Sequence, residues 1–345
     1  ITMFSKIFLS KENLLYNVDK IEEISKKKTC VMIKANAYGH GTKEVLSILN
    51  DRIDFFGVSN QSEGLHARKY TTKDVIVFGA CEDYKQCIIN NVSFALFSYD
   101  DARKIVKIAK KCDLKPKMHL CINTGMNRYG VKTEKELLKI ISFLTKKGIE
   151  LAGVYTHFSS LTTDREYTAS QKERFNSMLK FIPKSWNSLV HVGGGRSIFE
   201  EIDADMFRVG LEVYGYGNEF VKPVLRVESE IVDLQRVSAN EHIGYLCGYT
   251  AKEDMVIATV PLGYGDGLPR KLSNKLRVKI NGKETVNVGN ICMDAFMVDV
   301  TNLPCKKGDR VDIMRNASEL APLIESTEYE VLTNLGKFRG ERIID

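Results

Sequence analysis

No stretch of this sequence approaches 18 consecutive apolar residues, so nothing in it reads as a membrane-spanning helix. None of its cysteines stands in a Cys-x-x-Cys pair. The eight are scattered at positions 30, 81, 87, 112, 121, 247, 292 and 305, several inside apolar, strand-like runs. That scatter argues against a disulfide framework or a zinc site, and for reduced thiols in a cytoplasmic protein. There is no basic stripe interleaved with aromatics. The 50 Lys and Arg nearly balance 44 Asp and Glu, for a net charge of +6. Clusters such as Lys26-Lys27-Lys28 and Lys146-Lys147 read as solvated helix ends, and nucleic-acid binding is not expected. No signal peptide, internal repeat or low-complexity tract is found. The chain opens Ile1-Thr2-Met3 rather than on an initiator methionine, which reads as a piece of a longer polypeptide.

With 345 residues, 43% of them hydrophobic, the chain exceeds one ordinary domain, and two are expected. From residue 6 onward, short apolar runs alternate with amphipathic stretches. Ile7-Phe8-Leu9 is strand-like, and Ser10 offers an N-cap to a helix with Leu14, Leu15, Val18, Ile21 and Ile24 at helical spacing. Strand candidates follow at 31–33, 55–58, 75–78, 94–97, 118–122, 151–155, 189–192 and 206–209. Eight or nine strands with helices between them, in some 215 residues, fit an α/β fold of (β/α)₈ barrel type. A doubly wound sheet fits the alternation almost as well. Near residue 220 helical periodicity fades. Strand candidates at 224–227, 231–234, 256–260, 276–280, 296–300 and 310–314, with the turn Asn281-Gly282, predict a second, mostly β domain. The expected division is a barrel over residues 1–222 and a β domain over 223–345.

The most informative stretch is Cys30-Val-Met-Ile-Lys34-Ala-Asn-Ala-Tyr38-Gly-His-Gly41. A buried strand ends at a lysine followed by small and turn-forming residues. A lysine after a strand is ordinarily a solvated loop charge. One on a rigid strand end, lined by small residues, can instead hold an aldehyde cofactor. The string from Lys34 to Gly41 resembles, residue for residue, the pyridoxal 5′-phosphate attachment motif of the alanine racemase family. The resemblance runs the length of the chain and implies a TIM-like N-terminal barrel with a C-terminal mostly β domain.

Further positions can be carried over one at a time. Asn123-Thr-Gly-Met-Asn-Arg128-Tyr-Gly130 resembles the family's Asp-Thr-Gly-Met-x-Arg-x-Gly, which implies that Arg128 reaches the substrate carboxylate; a guanidinium suits this because it stays charged. Two departures stand here. Many members carry a carbamylated lysine where this chain has Cys121, and Asp where it has Asn123. Cys121 cannot form a carbamate, so Arg128 is expected to be held differently, by a bound anion such as chloride. Tyr155-Thr-His157-Phe158 resembles the strand-end histidine near the cofactor ring. Asp205-Met-Phe-Arg208-Val-Gly210-Leu211-Glu-Val-Tyr-Gly215 resembles the segment whose arginine meets the pyridine nitrogen and whose backbone N–H groups hold phosphate. A permanent cation beside that nitrogen keeps it unprotonated and favours simple reprotonation over transamination. His191-Val-Gly-Gly194-Gly195-Arg196-Ser197 would complete the phosphate cradle, since glycines let backbone approach an anion. The family more often has Asn-Ser at Gly194-Gly195, so Arg196 or Ser197 is expected to replace the lost hydroxyl. Tyr38 counts among the cofactor contacts.

In the second half, Gly244-Tyr245-Leu-Cys-Gly-Tyr249 resembles the segment bearing a second catalytic base, at Tyr245. Pro261-Leu-Gly-Tyr264-Gly-Asp-Gly267 places Tyr264 at the substrate entrance, with Arg270 further out, and Cys292-Met293-Asp294 implies a substrate contact through Met293 and Asp294. No metal is implied. The family reading is a cofactor-dependent, two-base racemase of a small amino acid, L-alanine to D-alanine for peptidoglycan, with Lys34 and Tyr245 as the bases. It is expected to be a cytoplasmic homodimer in which Tyr245 reaches the partner's site. Three alternatives stand beside it. A serine racemase of the vancomycin-resistance type, whose catalytic domain follows a membrane domain, is left open by the start at Ile1, Cys121, Gly194-Gly195 and the tail around Lys337. A non-catalytic pyridoxal-phosphate carrier would lack the β domain and the second base. A decarboxylase of this fold type would carry a catalytic cysteine motif that is not seen.

Overall fold

The first strand, β1 (Lys6–Leu9), does not join the strands that follow it. Those strands are β2 (Lys28–Met32), β3 (Phe55–Val58), β4 (Asp74–Val77), β5 (Ser93–Leu96), β6 (Met118–Cys121), β7 (Gly153–His157), β8 (Leu189–Gly193) and β9 (Met206–Val209), and they close into a parallel barrel. The structure is a computed structural model describing residues 4–345, and the Ile1-Thr2-Met3 start lies outside the described residues. Pairing of β9 with β2, Arg208 beside Cys30 and Val209 beside Val31, closes the ring and excludes the open, doubly wound sheet.

The barrel strands read as continuous apolar runs because both faces are covered. Every residue of β5, β6 and β9 is buried. The flanking helices carry their own start signals. Ser98 caps Tyr99–Cys112, which buries Ala102, Ile105, Val106 and Ala109 on one face. Thr133 and Glu136 form a capping box at the start of Glu134–Lys146, which buries Leu137, Ile140, Ile141 and Leu144.

The chain divides into two compact units, one made of Asn17–Ala35 and Val45–Val213, the other of the chain up to Tyr16, Asn36–Glu44 and Tyr214–Asp345. The second is mostly β. Its largest sheet runs in the order β16 (Lys283–Val286), β15 (Arg277–Ile280), β18 (Arg310–Met314), β10 (Leu225–Glu230), β1, β19 (Glu341–Ile344). Three further strands, β11 (Asp233–Val237), β14 (Met255–Val260) and β17 (Phe296–Asp299), make a second sheet, and β12 (His242–Ile243) with β13 (Tyr249–Thr250) a small ribbon. The turn predicted at Asn281-Gly282 joins β15 to β16 with Ile280 opposite Lys283. Its two residues have φ of 50° and 79°, as a two-residue primed turn requires. No helix among the described residues is long and apolar enough to cross a membrane.

Candidate active site

Immediately after β2 the backbone turns the unusual way. Ala35, Asn36, Ala37 and Tyr38 all have φ of 52–53°, a left-handed turn built from four residues that carry side chains. At roughly 1–2 kcal/mol each, such a turn costs on the order of 4–8 kcal/mol and persists only where the surroundings hold it. Glu63 accepts from the Ala35 N–H at 2.7 Å, and its other oxygen accepts from the Ser59 N–H and hydroxyl, both at 2.8 Å. Further on, the Gly41 N–H donates to the Asn36 carbonyl (2.9 Å) and the Thr42 N–H to the Asn36 side-chain oxygen (2.9 Å). Gly39, with φ of 83°, admits no side chain, because a Cβ there would sit 2.0 Å from the Leu332 carbonyl oxygen.

Lys34 stands at the start of this turn, largely withdrawn from solvent. Its amine is held below the usual lysine range by burial first and then by the Arg128 cation, with Glu63 opposing and Arg208 adding to the depression. A strand-end amine so placed has more of its neutral, proton-accepting form at neutral pH than an ordinary lysine.

Arg208, on β9, is buried inside the barrel. One terminal nitrogen, Nη1, donates to His191 Nδ1 at 2.9 Å; the other, Nη2, donates to the Thr156 carbonyl at 2.7 Å and approaches His157 Nδ1 at 3.4 Å. Its guanidinium carbon lies 4.7 Å from the Tyr155 ring centre and 4.9 Å from that of Phe78. No salt bridge reaches it among the described residues. A guanidinium can only donate, so His191 Nδ1 must accept, and the His191 proton sits on Nε2. That proton faces His119 Nδ1 at 2.9 Å, which leaves the His119 proton on its own Nε2. One cation thus sets the tautomers along a line of two imidazoles. Burial, and then the Arg208 charge, push His157 down to about 3 and His191 well below its ordinary value. His119 is brought to about 4, again mainly by burial. All three are neutral at pH 7.

At the end of β6, the Asn123 side-chain oxygen accepts from the Gly125 N–H (3.2 Å) and the Asn127 N–H (3.1 Å). An amide oxygen accepts these bonds as a carboxylate would, so Asn123 still shapes the loop that presents Arg128. Cys121 is buried, its thiol donating towards the Tyr129 carbonyl at 3.5 Å and pushed up to about 11 by burial. Gly130 lets the chain pass over it, because a Cβ there would come within 2.8 Å of the Cys121 sulfur. Arg128 itself is exposed and lies 5.9 Å from the centre of the Tyr129 ring.

The glycine segment after β8 is shaped by contact on one side and openness on the other. Gly194 has φ of 135°, and a Cβ on it would meet the Phe158 carbonyl oxygen at 2.7 Å; one on Gly195 would meet nothing within 4 Å. The Arg196 N–H donates to Glu212 at 3.1 Å, and burial raises that carboxyl above its ordinary value. Ser197 is buried, while Gly210 and Leu211 follow β9 on the turn that includes Glu212. Lys34, Arg128, His157, Gly194, Gly195, Arg208, Gly210 and Leu211 therefore all belong to the barrel unit.

The second unit holds the remaining expected residues. Tyr38 packs against Tyr214 at 5.0 Å and Tyr329 at 5.9 Å between ring centres. Tyr245 and Leu246 project, 70% and 84% exposed, at the rim of a cleft of about 650 Å³ that Tyr264, Arg270, Asn290 and Lys337 also line. Asn290 donates to the Tyr245 carbonyl at 2.7 Å. The Tyr264 and Met293 loops are tied together: Tyr264 N–H to Cys292 carbonyl (3.1 Å) and Gly265 N–H to Met293 carbonyl (2.9 Å). Arg339 closes the arrangement. It donates twice to the buried Asp266 carboxylate (2.7 and 3.0 Å) and once to Asp294 (2.7 Å).

Sequence reasoning missed Glu63, Phe78, His119, Tyr155 and Arg339. The spacing Asn60-x-x-Glu63 is a helix-start signal that could have drawn attention to Glu63. The other four have no local signal, since their contacts come from other strands or loops.

Two family models match this chain, "Alanine racemase, N-terminal domain" over residues 9–218 and "Alanine racemase, C-terminal domain" over 224–344. An alanine racemase of Francisella philomiragia is 32% identical, over 97% of this chain and 98% of its own. Among solved structures, an alanine racemase of Clostridium difficile 630 superposes with a TM-score of 0.93 at 29% identity, covering 100% of this chain and 96% of that one. One from E. faecalis does so with a TM-score of 0.89 at 25% identity, covering 99% and 98%.

Proposed function

The chain belongs to the alanine racemase family, and from that premise we propose that it interconverts L- and D-alanine with pyridoxal 5′-phosphate, as a cytoplasmic homodimer supplying D-alanine for peptidoglycan. The observation that carries the reading is the meeting, in one barrel, of a strand-end lysine with depressed basicity and a buried arginine that has no carboxylate partner among the described residues. In functional terms, residues 1–222 form the cofactor-binding part and 223–345 the part that supplies the second base.

The residues present suit the cofactor. Arg208 is a buried cation whose partners are carbonyl oxygens and imidazoles, so it can face a ring nitrogen without a competing carboxylate. The open side of Gly195 leaves backbone accessible to a phosphate. Lys34 would hold the cofactor through Nζ, with Tyr38, His157, Gly194, Gly195, Gly210 and Leu211 around it. When bound, pyridoxal 5′-phosphate draws electrons from the α-carbon of the amino acid and acidifies its C–H bond. Lys34 Nζ moves a proton on one face of that carbon, and the Tyr245 oxygen moves one on the other. Arg128 orients the substrate carboxylate, and a bound anion such as chloride would take the place of the missing carbamate beside it. Met293 and Asp294 contact the substrate, and Tyr264 lines its path. Tyr245 comes from the partner subunit, which accounts for its exposure.

The test is steady-state racemisation of L-alanine and L-serine side by side with added pyridoxal 5′-phosphate. A clear alanine preference in kcat/KM is expected. Serine turnover equal to or above alanine would reassign the substrate, and no turnover of either would remove the activity altogether.

Arg339 provides a second check. Replacing it by alanine frees Asp266 and Asp294 at once, while Tyr264 and Met293 keep their backbone bonds. The expected result is a rise in KM for alanine of roughly tenfold with a smaller change in kcat, partly restored in Arg339→Lys, because the lost contact orders substrate-facing loops rather than moving protons. An equal fall in kcat at unchanged KM would contradict it.

A further inference from the structure

Two cysteines stand apart from the rest. The sulfurs of Cys81 and Cys87 are in contact at 3.9 Å, and no other cysteine pair is recorded in contact among the described residues. Their surroundings differ in a useful way. Cys81 is half-buried on the segment that leaves β4, next to the exposed Glu82 and Asp83. Cys87 is fully buried, on the inner side of the helix Tyr84–Ile89. A solvent-borne reagent therefore meets Cys81, while Cys87 is reachable only by its neighbour.

The helix side of the pair is anchored. Asp83 caps the helix by accepting from the Lys85 and Gln86 N–H groups, and its own N–H donates to Gln61 at 2.7 Å. The segment around Ala80, Cys81 and Glu82 lies outside any helix or strand. Closing the sulfurs from 3.9 Å to the bonded distance of about 2.05 Å thus asks for movement mainly on the Cys81 side. The S–H···S contact also lets the pair share one proton, so that one sulfur carries charge while the other donates to it, and either can be the donor.

We propose that Cys81 and Cys87 are a modification site, forming a reversible intramolecular disulfide when the protein meets a peroxide. In the form in which Cys81 holds the charge and Cys87 the shared proton, Cys81 attacks one peroxide oxygen; the O–O bond breaks, the leaving oxygen takes the Cys87 proton and departs as water, and Cys81 becomes a sulfenic acid. The Cys87 thiolate so formed attacks the Cys81 sulfur and expels its oxygen, which takes from solvent the proton Cys81 first released and leaves as a second water. Two thiols are oxidised by two electrons, and one peroxide is reduced to two waters. A thiol reductant reverses the bond. The bond forms on the segment that continues β4 past Phe78, whose ring covers Arg208, so the modification lies one short loop from the barrel site.

The experiment treats the native holoenzyme with a small excess of hydrogen peroxide and maps unreduced peptides by mass spectrometry. The expected product has lost two hydrogens, links the peptides of Cys81 and Cys87, and shows a thiol count lower by two than the original eight. Dithiothreitol restores the starting mass. In Cys87→Ser, oxidation should stop at a sulfenic acid on Cys81 that dimedone traps; in Cys81→Ser, Cys87 should stay reduced. Unlinked Cys81 and Cys87 after the exposed Cys247 has been oxidised would overturn the proposal, as would Cys81 passing to sulfinic acid in the unmutated chain. The reading rests on sulfur geometry alone, so its failure leaves the racemase assignment untouched.

Discussion

Lys34→Ala should lower alanine racemisation by about four orders of magnitude, and Tyr245→Phe by about two to four, since each removes a positioned proton-transfer group. The two losses should differ in kind. Without Lys34 the cofactor is no longer held covalently, and the absorption band of the bound form disappears. Without the Tyr245 hydroxyl the cofactor stays, and Lys34 should still wash deuterium from solvent into one enantiomer without inverting it. A Tyr245→Phe enzyme with near-normal racemisation would end the two-base reading.

The same pair of variants tests the composite site. If Tyr245 serves the partner's Lys34, a mixed dimer of Lys34→Ala and Tyr245→Phe subunits has one site with both defects and one with neither. Random reassortment makes half the dimers mixed, so about a quarter of the normal activity should return from two inactive preparations. No recovery, with mixed dimers demonstrated, would place both bases within one subunit.

Acidification should destabilise this protein far more than its modest charge suggests. Four histidines withdrawn from solvent are held below their ordinary value: His40 and His119 at about 4, His157 at about 3, and His191 well below it. Burial is the main cause in each, with Arg208 adding to it at His119, His157 and His191 and Arg342 at His40. The folded groups refuse a proton that the unfolded chain accepts near pH 6.5. Their contribution is whole above that pH and is lost as pH falls from about 6.5 towards the folded values. His40, His119 and His157 each give up roughly 2 kcal/mol between pH 7 and 5, on the order of 6 kcal/mol together, and His191 adds to the loss in the same direction. Thermal unfolding at pH 5 should occur on the order of 10 °C or more below that at pH 7. A shift of only a degree or two would mean that these imidazoles take up protons without leaving the fold.

Arg208, which adds to this neutrality at three of the four, is itself a reason to expect sensitivity. Arg208 donates to His191, and His191 to His119, so protonating either imidazole would turn a donor–acceptor contact into two donors facing each other. The acid response and the proposed cofactor site thus share one set of hydrogen bonds.

Much of this was legible in the sequence because it is local. Apolar runs of four or five residues, the capping residues Ser98 and Thr133, the Asn281-Gly282 turn and the unbroken Lys34–Gly41 string each act through neighbours in the chain. They determined the alternation of strands and helices, the change of texture near residue 220, the family, and most of the candidate residues. Tertiary structure alone decided the rest. It closed the barrel through the pairing of β9 with β2, which alternation leaves open, and it sent β1 to a sheet with β10 and β19, whose partners lie more than 200 residues away. It also bent the Lys34 turn left-handed against the preference of four ordinary residues, because Glu63 accepts the Ala35 N–H at its start and Asn36 accepts those of Gly41 and Thr42 just beyond it. The partners of Arg208 sit on β7 and β8, and those of Arg339 on two separate loops. A side chain's type is written in the sequence; the charge, tautomer and reach it ends with depend on groups that only folding brings within a few ångströms.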